Sequence, residues 1–318
     1  MLDSSPAEAI GPSAEVTDFG PLGPGRTLTS VEYDFLHRRD LGVTEREQGV
    51  GMRWSRETLD WGYLSAEIAG RLEDDGRGLD DEHGSGRFSF QQEDFVLAGE
   101  LLSDTLLGDQ IAVSNPLVSR SFRYNLPSTY MRGIGVRLHD QRQELRVQAG
   151  RVGNLAGERL LTYEPGEETL GGIGYRRDFD QRLSAALQVW SLTGVPGDAD
   201  HGSAAGALEF RPDATQSYQV HTLSDTGGRH GLWLDGDLAT AAWRHRYGLF
   251  RIEPGLKWLD DSIANDREGA YWRSDLRASR YSLTGGLDVS ESNIDADPGL
   301  AGAVTASGFL RGTWLARR

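Results

Sequence analysis

The sequence predicts an all-β fold, an antiparallel up-and-down transmembrane barrel of about 16 strands, and three observations predict it. Strand-length segments near the C-terminal end carry apolar residues on one parity and charged residues on the other. The connections between segments alternate short and long. From about Thr27 the chain is one succession of such segments, with no heptad, long amphipathic helix or interdomain linker.

Residues 1–26 are rich in Pro, Gly and Ser and read as a poorly ordered extension, leaving 27–318 as one β-barrel domain. The start at Met1 has neither the basic nor the apolar region of a secretory signal, so an exported chain of this kind is expected as a processed form or a fragment. Candidate strands follow in order at 28–37, 48–57, 62–73, 86–101, 104–114, 117–125 and 131–139. They continue at 144–153, 168–177, 181–192, 203–211, 216–225, 231–245, 248–259, 268–278, 280–290 and 302–315. The stretch from Phe88 to Val113 also fits a short helix. Gly133, Gly135, Gly171, Gly172, Gly174, Gly285 and Gly286 fall inside proposed strands, where a glycine marks a bend, a bulge or a close approach.

Faces follow from parity, because side chains alternate across a strand with period two. Phe250, Ile252, Pro254, Leu256 and Trp258 oppose Arg251, Glu253 and Lys257. Ala270, Trp272, Leu276 and Ala278 oppose Arg273, Asp275 and Arg277; Tyr281, Leu283, Leu287 and Val289 oppose Ser282, Thr284 and Asp288.

Hydrophobic residues make up 38% of the 318, and no run approaches the roughly 18 apolar residues of a membrane-spanning helix. Barrel strands need only about 9 to 11 alternating residues, so the low mean hydropathy of −0.47 does not exclude a membrane barrel. A net charge of −15 argues against gripping nucleic acid through a general basic surface. Without cysteine there is no disulfide, thiolate nucleophile or cysteine metal site.

Tight connections are expected at 177–181, 211–216, 244–248 and 277–280, and longer Gly/Asp-rich ones at 194–203, 225–231, 260–268 and 291–299. Such a meander puts tight turns on one rim and loops on the other. Tyr175, Tyr247 and Tyr281 flank tight turns, and Trp190, Trp233, Trp258, Tyr271 and Trp272 flank long loops, which predicts aromatics at two interface levels, although by parity Trp190 falls on the Arg182, Ser184 and Gln188 face, so not every one of these rings points into lipid. Open twisted sheets rarely exceed about 10 strands, so roughly 16 are better closed, around a lumen too wide for side chains to fill.

The lumen is therefore expected to be lined by Arg251, Glu253, Lys257, Arg273, Asp275, Arg277 and Arg182. Lipid is expected to meet Ile252, Leu256, Trp258, Trp272, Leu276, Tyr281, Leu283 and Leu287. Taken singly, each charge also fits a cross-strand ion pair on a wetted wall. Arg132, Arg137, Arg146, Arg151, Arg176 and Arg182 add a basic bias that hints at anionic or polyhydroxylated solutes. No cofactor, metal or catalytic residue is expected. The acidic run from Glu73 to Glu82, Asp198 with Asp200, and Asp295 with Asp297 lack EF-hand spacing and read as solvated loops. His221, Ser224 and Asp225 are too close in sequence to make a hydrolytic triad, and Gly171-Gly-Ile-Gly-Tyr lacks a nucleotide-loop spacing.

In architecture, the segments Gly171 to Trp190 and Gly248 to Val289 resemble bacterial outer-membrane β-barrel proteins of the porin or secretion-channel type. The resemblance implies a bacterial outer-membrane location, with outer-membrane lipid and the barrel-assembly machinery as partners. It implies a non-enzymatic channel that passes polar solutes or exports a polymer such as an exopolysaccharide. The last residues, Trp314-Leu-Ala-Arg-Arg, lack the terminal aromatic of such barrels, so 302–315 is expected as an internal strand of a longer one. Two alternatives stand beside this: the membrane pore of a protein-secretion or pilus-assembly apparatus, and a soluble β-rich carbohydrate-binding protein or hydrolase with its apolar face buried.

Overall fold

The computed structural model describes residues 25–40, 43–74, 82–119, 126–194, 200–259, 261–263 and 265–315. The strands are β1 (Thr27–Asp40), β2 (Val43–Thr58), β3 (Gly62–Asp74), β4 (Glu82–Ala98), β5 (Leu101–Ile111), β6 (Tyr130–His139), β7 (Gln143–Ala156), β8 (Thr162–Asp178) and β9 (Leu183–Thr193). They continue with β10 (His201–Asp213), β11 (Gln216–Asp225), β12 (His230–Ala239), β13 (Trp243–Ile252), β14 (Lys257–Trp258), β15 (Asp261–Ser262), β16 (Arg267–Arg277), β17 (Tyr281–Ser292) and β18 (Ala303–Trp314). One short helix, α1 (Pro116–Ser119), lies between β5 and β6. Sixteen of the strands form one antiparallel sheet in sequence order, and β14 and β15 make a small hairpin of their own. The all-β, up-and-down, 16-stranded architecture is the one the alternation predicts.

Three expectations are corrected. Of the strand expected at 117–125, residues 117–119 belong to a helix and 120–125 lie outside the described residues: Pro116 opens α1, and the Asn115 Oδ1 caps it by accepting the Leu117 N–H at 2.9 Å. Phe88 to Val113 holds no helix but the β4–β5 hairpin. The tight turn expected at 244–248 lies instead at 240–242, where the Thr240 Oγ1 accepts the Trp243 N–H at 3.1 Å, so 244–248 is strand. The tight connection expected at 177–181 is found at the β8–β9 turn, where Asp180 accepts the N–H groups of Arg182 and Leu183, and Asp140 accepts those of Arg142 and Gln143 in the β6–β7 turn in the same way.

Elements that are not sheet neighbours meet across a single face. Arg71 of β3 reaches Thr162 and Glu164 of β8, Gln188 of β9 reaches Asn115, and Ser203 of β10 reaches Leu259. That face is therefore the concave one, and the sheet is rolled into a barrel wall around it. An additional pairing of Gly86 in β4 with Tyr163 in β8 draws the β4–β8 region together. The wall has a seam: among the described residues β1 and β18 do not pair with each other, so the expected closure is not a hydrogen-bonded one.

Candidate functional site

The outward face is apolar along the wall. Val31 and Tyr33 of β1 are 71% and 65% exposed, Ile68 of β3 61%, and Leu287 of β17 60%, with Ile134, Ile173, Leu187 and Leu249 exposed between them. Register carries this stripe from strand to strand: Val31 opposes Met52, Met52 opposes Ile68, Ile68 opposes Phe88, and at the other end Trp272 opposes Leu287. At the tight-turn rim Tyr175, Tyr218, Trp243, Tyr247 and Tyr281 point outward, and Trp243, His245 and Trp272 stack in a row at 5.6 and 6.0 Å.

The predicted lining residues divide. Arg273, Asp275 and Arg277 stand on the inner parity of β16, where Asp275 accepts Arg246 at 3.0 Å and the Thr284 hydroxyl at 2.9 Å. Arg182 lies in the exposed β8–β9 turn, at the rim. Arg251 is on the outward face, paired with Glu268 at 2.9 Å. Glu253 and Lys257 follow β13 rather than lining the wall: the Glu253 carboxylate accepts the His230 N–H at 2.7 Å, and the Lys257 N–H donates to Asp225 at 3.2 Å.

The predicted lipid-facing residues divide at the same place. Trp272, Leu276, Tyr281, Leu283 and Leu287 share the outward parity of β16 and β17. Ile252, Leu256 and Trp258 are instead buried, at 6%, 0% and 2% exposure, inside the barrel. The face read for 250–258 is reversed because the end of β13 is apolar on both sides: Leu249 faces out while Phe250 and Ile252 face in. Trp190, Trp233 and Tyr271 are buried inward too, so the second outward aromatic level is not formed by them.

What fills the interior there is the chain's own loops. Leu117 and Val118 of α1, with Leu126, pack on Trp190, Ala205, Ala207 and Leu223, and the segment Leu256 to Leu259 packs beside Trp233 and Ile252. Polar anchors hold the β5–β6 loop inside: the Asn115 N–H donates to Gln188 Oε1 at 2.9 Å and the Val113 N–H to Gln148 Oε1 at 3.1 Å. Glycines make the room. A Cβ at Gly172 would sit 2.2 Å from the Trp190 ring.

Among the described residues, two of the cavities on the inner face are large enough for a small solute. One, of about 590 Å³, lies against β1–β6 and is lined by Arg53, Glu67, Arg87 and a set of hydroxyl and amide side chains. The other, of about 460 Å³, lies against β10–β13 and β16. Its charges are matched in pairs: Arg211 with Glu209 at 2.8 Å, Arg244 with Asp237 at 2.5 Å, and Arg246 with Asp275. The tyrosine hydroxyl of Tyr271 donates to Asp235.

Other candidate chemistry does not assemble. His221 faces inward, fully buried, and bonds Gln219, whereas Ser224 lies on the opposite parity and Asp225 accepts the Arg229 N–H. Gly171 to Gly174 are within β8, with no helix following. Most of the Glu73–Glu82 run, and Asp198, lie outside the described residues; Asp297 is occupied by the Gly299 N–H at 2.7 Å. Among the described residues, Asp94, Asp104 and His139 bring ligand atoms within 4.8 Å of one another. Asp104 there already accepts Arg137 at 3.0 Å and the Asp94 N–H at 2.9 Å, a set satisfied by the guanidinium.

Reading the sequence alone missed the contribution of the first six strands. Arg53, Glu67 and Arg87 have the right parity for a lining, but irregular patterning in this half hid it. No family model matches the chain, and no curated protein matches it. Among solved structures it is similar to a triple mutant of the Rhodopseudomonas blastica porin, at 14% identity over 90% of this chain and 100% of that one, with a TM-score of 0.40. It is similar also to the outer membrane protein OpdK of Pseudomonas aeruginosa, at 14% identity over 83% and 82% with a TM-score of 0.47. OccK2 (OpdF) of the same organism is 12% identical over 91% and 92%, with a TM-score of 0.47. At such identities and scores these are likenesses only; strand order, register and the two faces carry the fold.

Proposed function

We propose that this chain is a bacterial outer-membrane channel that passes polar solutes. The observation that carries the reading is the outward apolar stripe, which continues across neighbouring strands from Val31 to Val289 while charged and hydroxyl side chains face inward. Water-soluble proteins rarely expose apolar patches beyond a few hundred Å², whereas hydrocarbon solvates such a stripe without cost. A soluble sandwich or hydrolase would bury these side chains under a second layer. Outer-membrane lipid is then the solvent of the outer face, and the barrel-assembly machinery its route of insertion.

The loops folded inward favour small solutes over an exported polymer or a secreted protein. With α1 and the 256–259 segment packed against β8–β13, the cavity along β1–β6 is larger than the one against β10–β13. Passage of this kind needs no chemical step. The reading is tested by adding the purified full chain to a planar bilayer. Discrete conductance steps in salt are expected, together with a requirement for detergent to remain monodisperse; a detergent-free monodisperse protein with no conductance would overturn it.

A further inference from the structure

We propose that the inner face of β1–β5 holds a binding site for a neutral, sugar-sized polyhydroxylated solute. The site rests on the channel reading above and adds to it a substrate class. Register builds it from two adjacent rows across the wall. One row runs Ser55, Ser65, Gln91, through the pairs Ser55↔Ser65 and Ser65↔Gln91; the next runs Ser30, Arg53, Glu67, Ser89. These rows line the 590 Å³ cavity, a volume within the range of small-molecule sites.

Chemistry selects the solute class. Glu67 is shared by two guanidiniums at long range, 3.6 Å from Arg53 and 3.7 Å from Arg87, so neither pair is closed. Two buried donors, the Arg87 Nε and the Gln110 Nε2, have no hydrogen-bond partner. Buried polar groups are normally paired, and unpaired donors around a cavity ask for acceptor oxygens. The serine hydroxyls donate and accept, as sugar hydroxyls do. The Asp109 carboxylate in the lining is already bound by Arg132 at 2.6 Å, which leaves Arg53 and Arg87 sharing the one carboxylate of Glu67. An anion brought to the two guanidiniums would also meet the Glu67 carboxylate that stands between them, whereas the surplus of hydroxyl and amide groups around them satisfies a neutral polyol. The second cavity makes the contrast: its carboxylates are closed by direct ion pairs and by Ser217, Gln219 and Tyr271.

The test uses the full chain in a planar bilayer, with maltose, gluconate and a polyethylene glycol of maltose's size added in turn. Maltose is expected to reduce the ion current saturably, half-blocking at a concentration at least about tenfold below that of the polyethylene glycol. Ser89→Val and Gln91→Leu, each checked by its own insertion as a channel, are expected to raise that concentration about tenfold. Equal block by maltose and the polyethylene glycol, stronger block by gluconate, or no shift in both variants overturns the site. Calorimetric titration of maltose into detergent-solubilised protein separates the two readings. Saturable heat from a protein that never conducts supports the site and refutes passage; a conducting channel with no such heat and no block refutes the site alone.

Discussion

The carboxylate of Glu47 accepts the backbone N–H of Leu160 at 3.2 Å across 113 residues of chain, and those of Glu158 and Arg159 at 2.9 and 3.0 Å. A single buried side chain of β2 thereby fixes the β7–β8 turn against the inner wall. Arg71, itself buried, stands 3.6 Å from Glu47 and also holds Glu73 and Glu164. Glu47→Ala leaves three N–H donors and part of a buried guanidinium unpaired, and is expected to cost about 2 to 4 kcal/mol. Glu47→Gln keeps one carbonyl oxygen and should lose less. Unfolding in detergent measures the difference, and limited proteolysis between 157 and 161 should cut the alanine variant first.

The outward assignment of β17 is tested by depth. Leu287 lies in mid-strand and is 60% exposed, opposite Trp272, while Leu283 is two residues from the tight turn. Leu287→Arg is expected to destabilise by about 2 to 4 kcal/mol, and Leu283→Arg by about 0 to 1, because the cost of an arginine on the lipid face falls toward the interface. Thr284→Arg, on the inner face beside Asp275, should be milder than Leu287→Arg. Equal losses at Leu287 and Thr284 in detergent or vesicle unfolding would contradict the two faces.

Legibility in the sequence followed how many surfaces each strand meets. β16 and β17 meet apolar surroundings outside and polar ones inside, so period-two alternation placed Trp272, Leu276, Arg273 and Asp275 on their proper sides. The end of β13 meets apolar surroundings on both sides, because the loop after it folds inward onto Trp233 and Ile252. Alternation there carries no sign, and parity alone assigns Ile252, Leu256 and Trp258 to the outward face. The helix at Pro116–Ser119 was hidden for a related reason: Leu117 and Val118 are apolar because they pack on the wall, and an apolar run of that length also fits a strand. Long-range pairs such as Glu47 with Leu160 leave no local pattern at all.

Close packing inside the barrel is tested at two adjacent glycines. A Cβ on Gly172 would lie 2.2 Å from the Trp190 ring, whereas one on Gly171 has nothing within 4 Å. Gly172→Ala should displace the indole from its place beside α1 and cost about 1 to 3 kcal/mol. Gly171→Ala should be neutral or stabilise by up to about 1 kcal/mol through the unfolded chain. The thermal transitions of the two variants in one detergent give the comparison, and near-UV circular dichroism should report a moved tryptophan in Gly172→Ala alone.

The tight turns give the wall an acid sensitivity whose sign is fixed. Two backbone N–H groups hold each of Asp140 and Asp180 below the ordinary carboxylate range, with the Arg142 and Arg182 N–H groups the leading causes. A carboxyl depressed in the folded state contributes stability above its unfolded value, about pH 3.9, and loses it as pH falls through the folded value. The thermal transition should therefore drop as pH falls below about 4. Asp140→Asn with Asp180→Asn retains an acceptor oxygen in each turn but removes the titration, so the double variant should be less stable at neutral pH and show a smaller acid-induced drop. An identical pH dependence in both proteins would mean that these turns do not set it.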